Sequence, residues 1–538
     1  MLLKIIKFST DLLSSMPVDT RIEYLCERLE SQAKSLKPST IKKNHAVIAV
    51  EGVEDPLFFG LFSVLVSELK VATSCTAQLI QIRSSINSVI GCGRFAWVFR
   101  SWLVCSLVNR QWSNASKYLV GNVAYRSHSI SNPLCDLVDW VRAYKLWKSL
   151  REQHDISSLV IDGVLVGDLV IDSYLRFRPS PVFDVTDRFV IRVLWQCIRD
   201  LRLAIRWFSR VRPPLYLSSY STYVDHGVAV RVALSLGSSV YVYGNPSSFG
   251  MKLSNKHPYH TPVTSAYKSD FEDLLDQDAC LKLASQQMNL RLSGGIDMAT
   301  AYMRFSAYTF SNESIPNVFG AVIVFMHDFY DSPHIYPDLI FPDFWTWINF
   351  TIITLREAGI PFYIKPHPNQ IALSDMAFNQ LIAIHKDVQI LSSQITNKQL
   401  VQAGMLCGVT VHGTVAHELA FFGIPTICCA KHPHHTFDFC RTASTVGEYA
   451  NMLRTPEKSR ISIEEMKRQS LSFYYMHNLN ESQDVLEFRR QYIELWKISH
   501  SQKDSAENFL SQLNKLQSLP GWKLHIKNLI EEITNHVL

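Results

Sequence analysis

The chain has 538 residues, 47% of them hydrophobic and 19% charged, with a formal net charge of +5. That length allows two large domains with full cores and argues against a single one, and the composition is that of an ordinary globular protein. The charge is too small for nucleic acid to be the main partner, although it permits local basic faces.

The eleven cysteines are scattered, mostly within apolar runs (Cys105, Cys197, Cys428, Cys429), and form no CxxC pair. This usage predicts reduced thiols in a cytosolic protein. Met1-Leu-Leu-Lys-Ile-Ile-Lys has no long apolar core followed by small residues, so no secretory signal is expected. The apolar windows Phe95 to Leu107 and Phe189 to Phe208 are interrupted by arginines and read as helices of a folded domain, not as membrane spans. No repeat or low-complexity tract is present.

Residues 1–43 read as an N-terminal helical segment and linker. A first α/β domain is expected over 44–316, a second over 317–480, and helices packing on the domains over 481–538. In the first domain His45 to Val50 is a buried-strand pattern, followed by a helix through Leu69 and a strand at Ala77 to Ile82. Strands alternating with helices imply a parallel sheet. Two further helices are expected between Phe95 and Leu150. Leu159 to Tyr174 reads as strand or loop and carries Asp162, Asp168 and Asp172, which suit either turn and cap roles or a substrate-facing edge. A long helix from Asp184 sets Arg192, Arg199, Arg202, Arg206 and Arg210 near helical spacing. Such a stripe is either a salt-bridged face or a contact for an anionic membrane surface or acceptor.

Pro214 to Tyr223 reads as a strand, Asp225-His226-Gly227 as a break, Val228 to Leu236 as a helix and Ser239 to Tyr243 as a strand. Ligands of open α/β sheets sit outside the carboxyl ends of the strands, which makes Asp225 and His226 site candidates. Asn245 to Lys268 is expected to be a loop, and a helix should run from Ser269 to about Leu292. The second domain starts with a strand at Ala321 to Met326, ending in His327-Asp328. A helix over Pro342 to Ala358 should carry Pro342 in its first turn. The strand Pro361 to Lys365 ends in Pro366-His367-Pro368. Helix Asp375 to Lys386, strand Val388 to Leu391 and helix Asn397 to Ala403 follow.

Leu406 to Cys429 then spells one β-turn-α-β unit, broken at His412-Gly413-Thr414. A Gly-Thr pair at a strand-to-helix turn lets backbone approach a ligand while N–H groups and a hydroxyl point outward, an arrangement that suits an anion. Lys431 to Cys440 holds three histidines, an aspartate and a cysteine, but in neither CxxC nor HExxH spacing, so no metal site is expected.

The set Phe325 to His334, the helix with Trp345 and Trp347, Ile364 to Pro368, His412 to Glu418 and Gly423-Ile-Pro425 resembles the bacterial capsule polysaccharide biosynthesis proteins, relatives of the CMP-Kdo-dependent glycosyltransferases. The resemblance covers about residues 317 to 430, and more weakly Gly163 to Arg176 and Asp225 to Arg231. It implies a GT-B-like fold, two Rossmann-like domains facing across a cleft, and a metal-independent transferase of surface polysaccharide assembly. The implied donor is a nucleotide sugar, CMP-linked, and the implied acceptor a glycan or lipid-linked glycan. No cofactor beyond that substrate is implied. His327, Lys365, His367, Pro368, His412, Gly413, Thr414 and Glu418 would form the donor site, with Glu418 accepting from ribose hydroxyls. The acceptor-side base is expected among Asp168, Asp225 and His226, in that order. A CDP-glycerol-type phosphotransferase, a sugar-nucleotide epimerase and a non-catalytic export factor share the architecture and stay open. The expected location is cytoplasmic, with possible peripheral contact at the inner membrane face.

Overall fold

The computed structural model describes residues 46–53, 55–81, 122–126, 133–153, 155–178, 180–246, 248–262, 264–301, 308, 313–366, 372–458, 461–501 and 505–537. They fall into two compact units. One takes the described residues up to Arg178, Asp184–His260 and the chain from Gln483 on; the other takes Thr261–Ser482 and a short piece ending at Phe183.

The first unit holds a sheet of β1 (Val47–Glu51), β2 (Thr76–Gln81), β3 (Asn122–Arg126), β6 (Leu215–Ser218), β7 (Ser239–Val242) and β8 (Met251–Lys252). A separate hairpin is made by β4 (Val160–Ile161) and β5 (Val164–Leu165). The sheet order is β3-β2-β1-β6-β7-β8, parallel except for β8. Strand β1 pairs on both sides and Ile48 to Glu51 are buried, which is why it reads as a continuous apolar run. Helix Pro56–Thr73 starts where the Asp55 carboxylate accepts from Leu57 N–H (2.8 Å) and Pro56 takes the first turn. Among the described helices only this one is long and apolar enough to cross a membrane. Its Leu57, Leu61, Leu65 and Leu69 nevertheless lie in one buried cluster with Tyr492, Phe509, Leu513 and Trp522 of the C-terminal helices. Those helices therefore complete the first unit's core.

Several elements differ from the sequence expectation. Of the two helices expected between Phe95 and Leu150, Pro133–Leu150 forms, the earlier window lies outside the described residues, and β3 was not anticipated. Asp168 and Asp172 do not end strands: they sit four apart in helix Gly167–Phe177, both buried. Gly167 allows that helix to begin against the preceding loop, because a Cβ there would meet the Ile156 carbonyl oxygen at 1.8 Å. Asp225 and His226 do not form a break either; they lie inside the first turn of helix Tyr223–Ser235, and the break is Ser219 to Thr222. The arginine stripe on helix Phe189–Val211 is partly internal. Arg199 is 2% exposed with its guanidinium over Trp195, Arg202 pairs with Asp139 at 2.7 Å, and Arg206 and Arg210 face solvent.

The second unit's sheet contains β9 (Val322–Phe325), β10 (Phe362–Lys365), β11 (Gln389–Ile390), β12 (Cys407–Thr410), β13 (Thr426–Cys428) and β14 (Cys440–Thr442). All six are parallel, in the order β11-β10-β9-β12-β13-β14. Helix Phe344–Glu357 is capped by Asp343, which accepts from Thr346 N–H at 2.6 Å, so Pro342 precedes the cap instead of standing in the first turn. The single helix expected from Ser269 is two, Tyr267–Glu272 and Gln277–Leu292. In both units the chain leaves the first strand to one side and returns on the other, as in a doubly wound dinucleotide-type sheet. The order reverses between β1 and β6 in one unit and between β9 and β12 in the other.

Candidate functional site

The carboxyl ends of the strands flanking a reversal of strand order form the crevice where open α/β sheets bind ligands. In the first unit those ends are Glu51, the last residue of β1, and Ser218 with the following Ser219 at the end of β6. Glu51 is 3% exposed. One of its oxygens accepts from Ser218 Oγ (3.0 Å), Ser219 N–H (2.6 Å) and Ser219 Oγ (2.7 Å). The other lies 2.6 Å from His226 Nδ1. Burial opposes ionisation of Glu51, but the His226 charge and these donors outweigh it and hold its pKa below the ordinary value. Burial likewise lowers His226, and the Glu51 carboxylate overcomes that and raises it above the ordinary value.

A carboxylate that accepts from Nδ1–H fixes the imidazole tautomer and leaves Nε2 with a lone pair. The His226 side chain is 28% exposed, so this edge is within reach of solvent. Tyr220 lies beside it and also packs, tilted, against His260, whose Nδ1 meets Ser221 Oγ at 2.9 Å. Burial pushes His260 down to about 4. Tyr223, at the head of the same helix, has φ +59°, a left-handed conformation that costs a bulky residue about 1–3 kcal/mol and tends to persist at functional sites. Gly227 allows the helix to close on its neighbour, since a Cβ would meet Leu169 Cδ2 at 2.4 Å.

The other expected acceptor-side residues are engaged differently. Asp168, placed first by sequence, is gripped by both terminal nitrogens of Arg231 and by Tyr259 Oη at 2.7 Å, and is 4% exposed. That is a structural ion pair, not a base facing a substrate. Asp225, next to His226 in sequence, is buried and accepts from Gln196 Nε2 at 2.8 Å, and its charge adds to the histidine's raised pKa. Glu51 was missed because it ends an apolar strand and its partners lie 167 to 175 residues away. The only local signal was an acidic residue closing a buried run at the first βα turn.

In the second unit, β9 runs into His327 and β12 into His412-Gly413-Thr414, so these expected residues flank the reversal point. The His412 N–H donates to His327 Nε2 at 3.4 Å. His327 stacks on Phe344, and Tyr336 packs against both histidines. Burial pushes His412 down to about 3, which makes it a neutral polar group at pH 7. Thr414 is exposed and its hydroxyl makes no cap bond to the seven-residue helix Val415–Phe421. Lys365 ends β10 and is 6% exposed; burial lowers its pKa to about 8, with the Glu418 charge opposing. His367 and Pro368 lie outside the described residues.

Glu418 does not face a ligand as expected. It is 3% exposed, paired with Arg291 and Tyr308 Oη and bonded by Asn397 Nδ2 at 3.0 Å. Both oxygens are thus used within the protein. Asp328 closes a turn by accepting from Tyr330 N–H and Ser374 Oγ. Behind the Gly413 turn lie the buried rings of His432 and His434, 4.1 Å apart. Burial pushes His434 down to about 3 despite the neighbouring Gly413 backbone. Metal-ligand types converge, among the described residues, at Cys428, His434 and Cys440.

No known family profile and no curated protein sequence matches the chain. Among solved structures it is similar to KpsC of Thermosulfurimonas dismutans, a beta Kdo 2,4 transferase, at 13% identity over 48% of this chain and 78% of that one, with a TM-score of 0.29. It is also similar to the UDP-GlcNAc 2-epimerase of Methanocaldococcus jannaschii, at 8% identity, 49% and 75% coverage and a TM-score of 0.25. A third is UGT71G1 of Medicago truncatula, solved with UDP-glucose, at 10% identity, 88% and 99% coverage and a TM-score of 0.18. The identities are too low to transfer a substrate or a residue role. Two doubly wound units in one chain make this a GT-B-like α/β protein.

Proposed function

We propose that the protein is a glycosyltransferase of surface polysaccharide biosynthesis that moves a sugar from a nucleotide donor, CMP-linked, to a glycan or lipid-linked acceptor. The observation that carries this reading is the Glu51–His226 pair at the point of strand reversal in one of two doubly wound sheets. The acceptor hydroxyl attacks the anomeric carbon, its proton passes to His226 Nε2, and the bond from sugar to phosphate breaks. The negative charge then grows on the departing nucleotide. Groups fixed in advance at that charge lower the barrier more than flexible ones. In this reading Lys365, His327, His412, the Gly413-Thr414 backbone and the Thr414 hydroxyl serve the donor phosphate, with His367 and Pro368 next in the chain, and no metal takes part in the transfer.

The donor is tested by thermal shift against CMP, UDP, GDP and CDP-glycerol. A ligand that binds only the folded state at 100 times its Kd adds about 2.7 kcal/mol of stability. CMP and CMP-linked sugars should raise Tm and the others should not; a response to CDP-glycerol alone would replace the sugar donor with a glycerol phosphate one. Lys365 supplies a second expectation. Its cation is present below its pKa of about 8 and is lost above it. Affinity for the nucleotide should therefore fall as pH rises from 7 to 9 in the wild type, measured by calorimetry. It should be weak and flat over that range in Lys365→Met. A wild-type affinity that is equally flat would remove Lys365 from the site.

The proposed location is cytoplasmic, supported by the described cysteines, all of them free thiols. The exposed Arg206 and Arg210 are suited to peripheral contact with an anionic membrane face.

A further inference from the structure

Strands β13 and β14 bring Cys428 and Cys440 side by side, with Sγ atoms 3.2 Å apart, and the loop between the strands returns His434 onto them. One ligand atom from each of the three residues lies within 4.8 Å of the others. Cys428 and His434 are 0% exposed and Cys440 is 2% exposed. Neither ring nitrogen of His434 makes a hydrogen bond of good geometry, the Gly413 backbone being a neighbouring polar group. A buried imidazole with both nitrogens unsatisfied carries a desolvation cost of about 1–3 kcal/mol per group unless something binds it.

Two chemistries join a pair of close thiols, and the sheet register separates them. Thr426 stands opposite Cys440 and Cys428 opposite Thr442, so the two cysteines are diagonal neighbours on parallel strands. Diagonal partners have backbones roughly 7–8 Å apart, beyond the ~7 Å Cα separation above which a disulfide cannot close without backbone movement. A shared cation needs no such approach: with metal–sulfur bonds of about 2.3 Å, tetrahedral sulfurs stand about 3.8 Å apart, an opening of roughly half an ångström. Two thiolates and a neutral imidazole around a divalent ion also sum to zero charge, which suits a buried site.

We propose that Cys428, Cys440 and His434 form a structural zinc-class site that ties edge strand β14 and the loop between β13 and β14 together behind the Gly413 turn. Binding converts two thiols to thiolates and releases two protons; the three side chains fill three of the four tetrahedral positions, and a fourth ligand closes the shell. The site is independent of the transferase reading and takes no part in sugar transfer. His434 and Cys440 stand in the ligand-rich stretch Lys431 to Cys440, but no metal site was expected there because Cys428 lies on the preceding strand and the three residues follow no paired motif.

The full-length protein, expressed with zinc in the medium and desalted, should contain about one zinc per chain by mass spectrometry of the metal. Exchange for cobalt should give the intense visible bands of a tetrahedral site together with a near-ultraviolet thiolate-to-cobalt band. Cys428→Ser and His434→Gln should each lower zinc content at least tenfold while circular dichroism stays native. Should a variant fail to fold, the wild-type cobalt spectrum decides alone. Wild type without stoichiometric zinc and without the thiolate band on cobalt addition overturns the proposal. So does zinc retained in both variants, or a mass lower by two hydrogens per chain that marks a disulfide.

Discussion

His226→Ala should lower kcat by about 10²- to 10⁴-fold, the usual contribution of a positioned general base, with donor affinity unchanged, as the proposed acceptor-side role requires. Nucleotide release from the donor that responds in the thermal-shift panel provides the assay. The pH profile makes the expectation specific. Only neutral His226 can take the acceptor's proton, so kcat/KM should rise with pH through an inflection above 6.5, the direction in which Glu51 moves the histidine. Glu51→Gln keeps a hydrogen-bonding group but removes the charge. Its inflection should move to lower pH, and its kcat should fall less than that of His226→Ala. An alanine variant within a fewfold of wild type, or an inflection that Glu51→Gln leaves in place, would sink the assignment.

The same pair affects stability. His226 has a folded pKa above its ordinary 6.5, so its contribution is full below that value and fades as pH rises through the folded pKa. Glu51 lies below its ordinary 4.5, so its contribution is present above 4.5 and is lost as pH falls through the folded pKa. The pair stabilises most between those two ordinary values. The proposed transfer, by contrast, needs the higher pH at which His226 is neutral.

The alternation of apolar runs with helical periodicity was enough to read both sheets, because parallel strands buried on two faces leave continuous hydrophobic segments such as Val322–Phe325 and Cys407–Thr410. Short elements escaped it. Strand β14 is three residues long, Cys440–Thr442, and its middle residue Arg441 is a charge that breaks the pattern. The first turn of helix Tyr223–Ser235 was read as a break because Asp225, His226 and Gly227 are poor helix formers, and tertiary packing against Leu169 overrides that propensity. In the site, position was legible and partnership was not. His327, His412 and Gly413 were placed correctly at strand ends, whereas Glu418 looked free for ribose only because Arg291 and Tyr308 are more than a hundred residues away. Asp168 misled for the same reason. A carboxylate beside a glycine gives no sign of an arginine 63 residues on.

Arg231→Met should destabilise the protein by about 3–5 kcal/mol, the cost of leaving one member of a buried ion pair uncompensated. Arg231 Nη1 bonds both Asp168 Oδ1 (2.6 Å) and the Leu165 carbonyl (2.7 Å), so it fastens helix Tyr223–Ser235 to helix Gly167–Phe177 and to strand β5. Tyr259 donates to the same carboxylate, and burial beside Asp168 pushes its phenol pKa up, which keeps that donor in place. Asp168→Asn should also destabilise, while the double variant Asp168→Asn with Arg231→Met should be less damaged than the sum of the two, since it removes both charges together. Urea unfolding of the three variants measures this coupling. The result separates two roles for Asp168. A catalytic base replaced by asparagine loses turnover and keeps its urea midpoint. A structural carboxylate does the reverse: the midpoint falls while kcat per folded molecule, assayed well below it, changes little. The bidentate grip of Arg231 occupies both Asp168 oxygens and predicts the second pattern, and it favours His226, on the helix that the ion pair holds in place, as the proposed base of this unit.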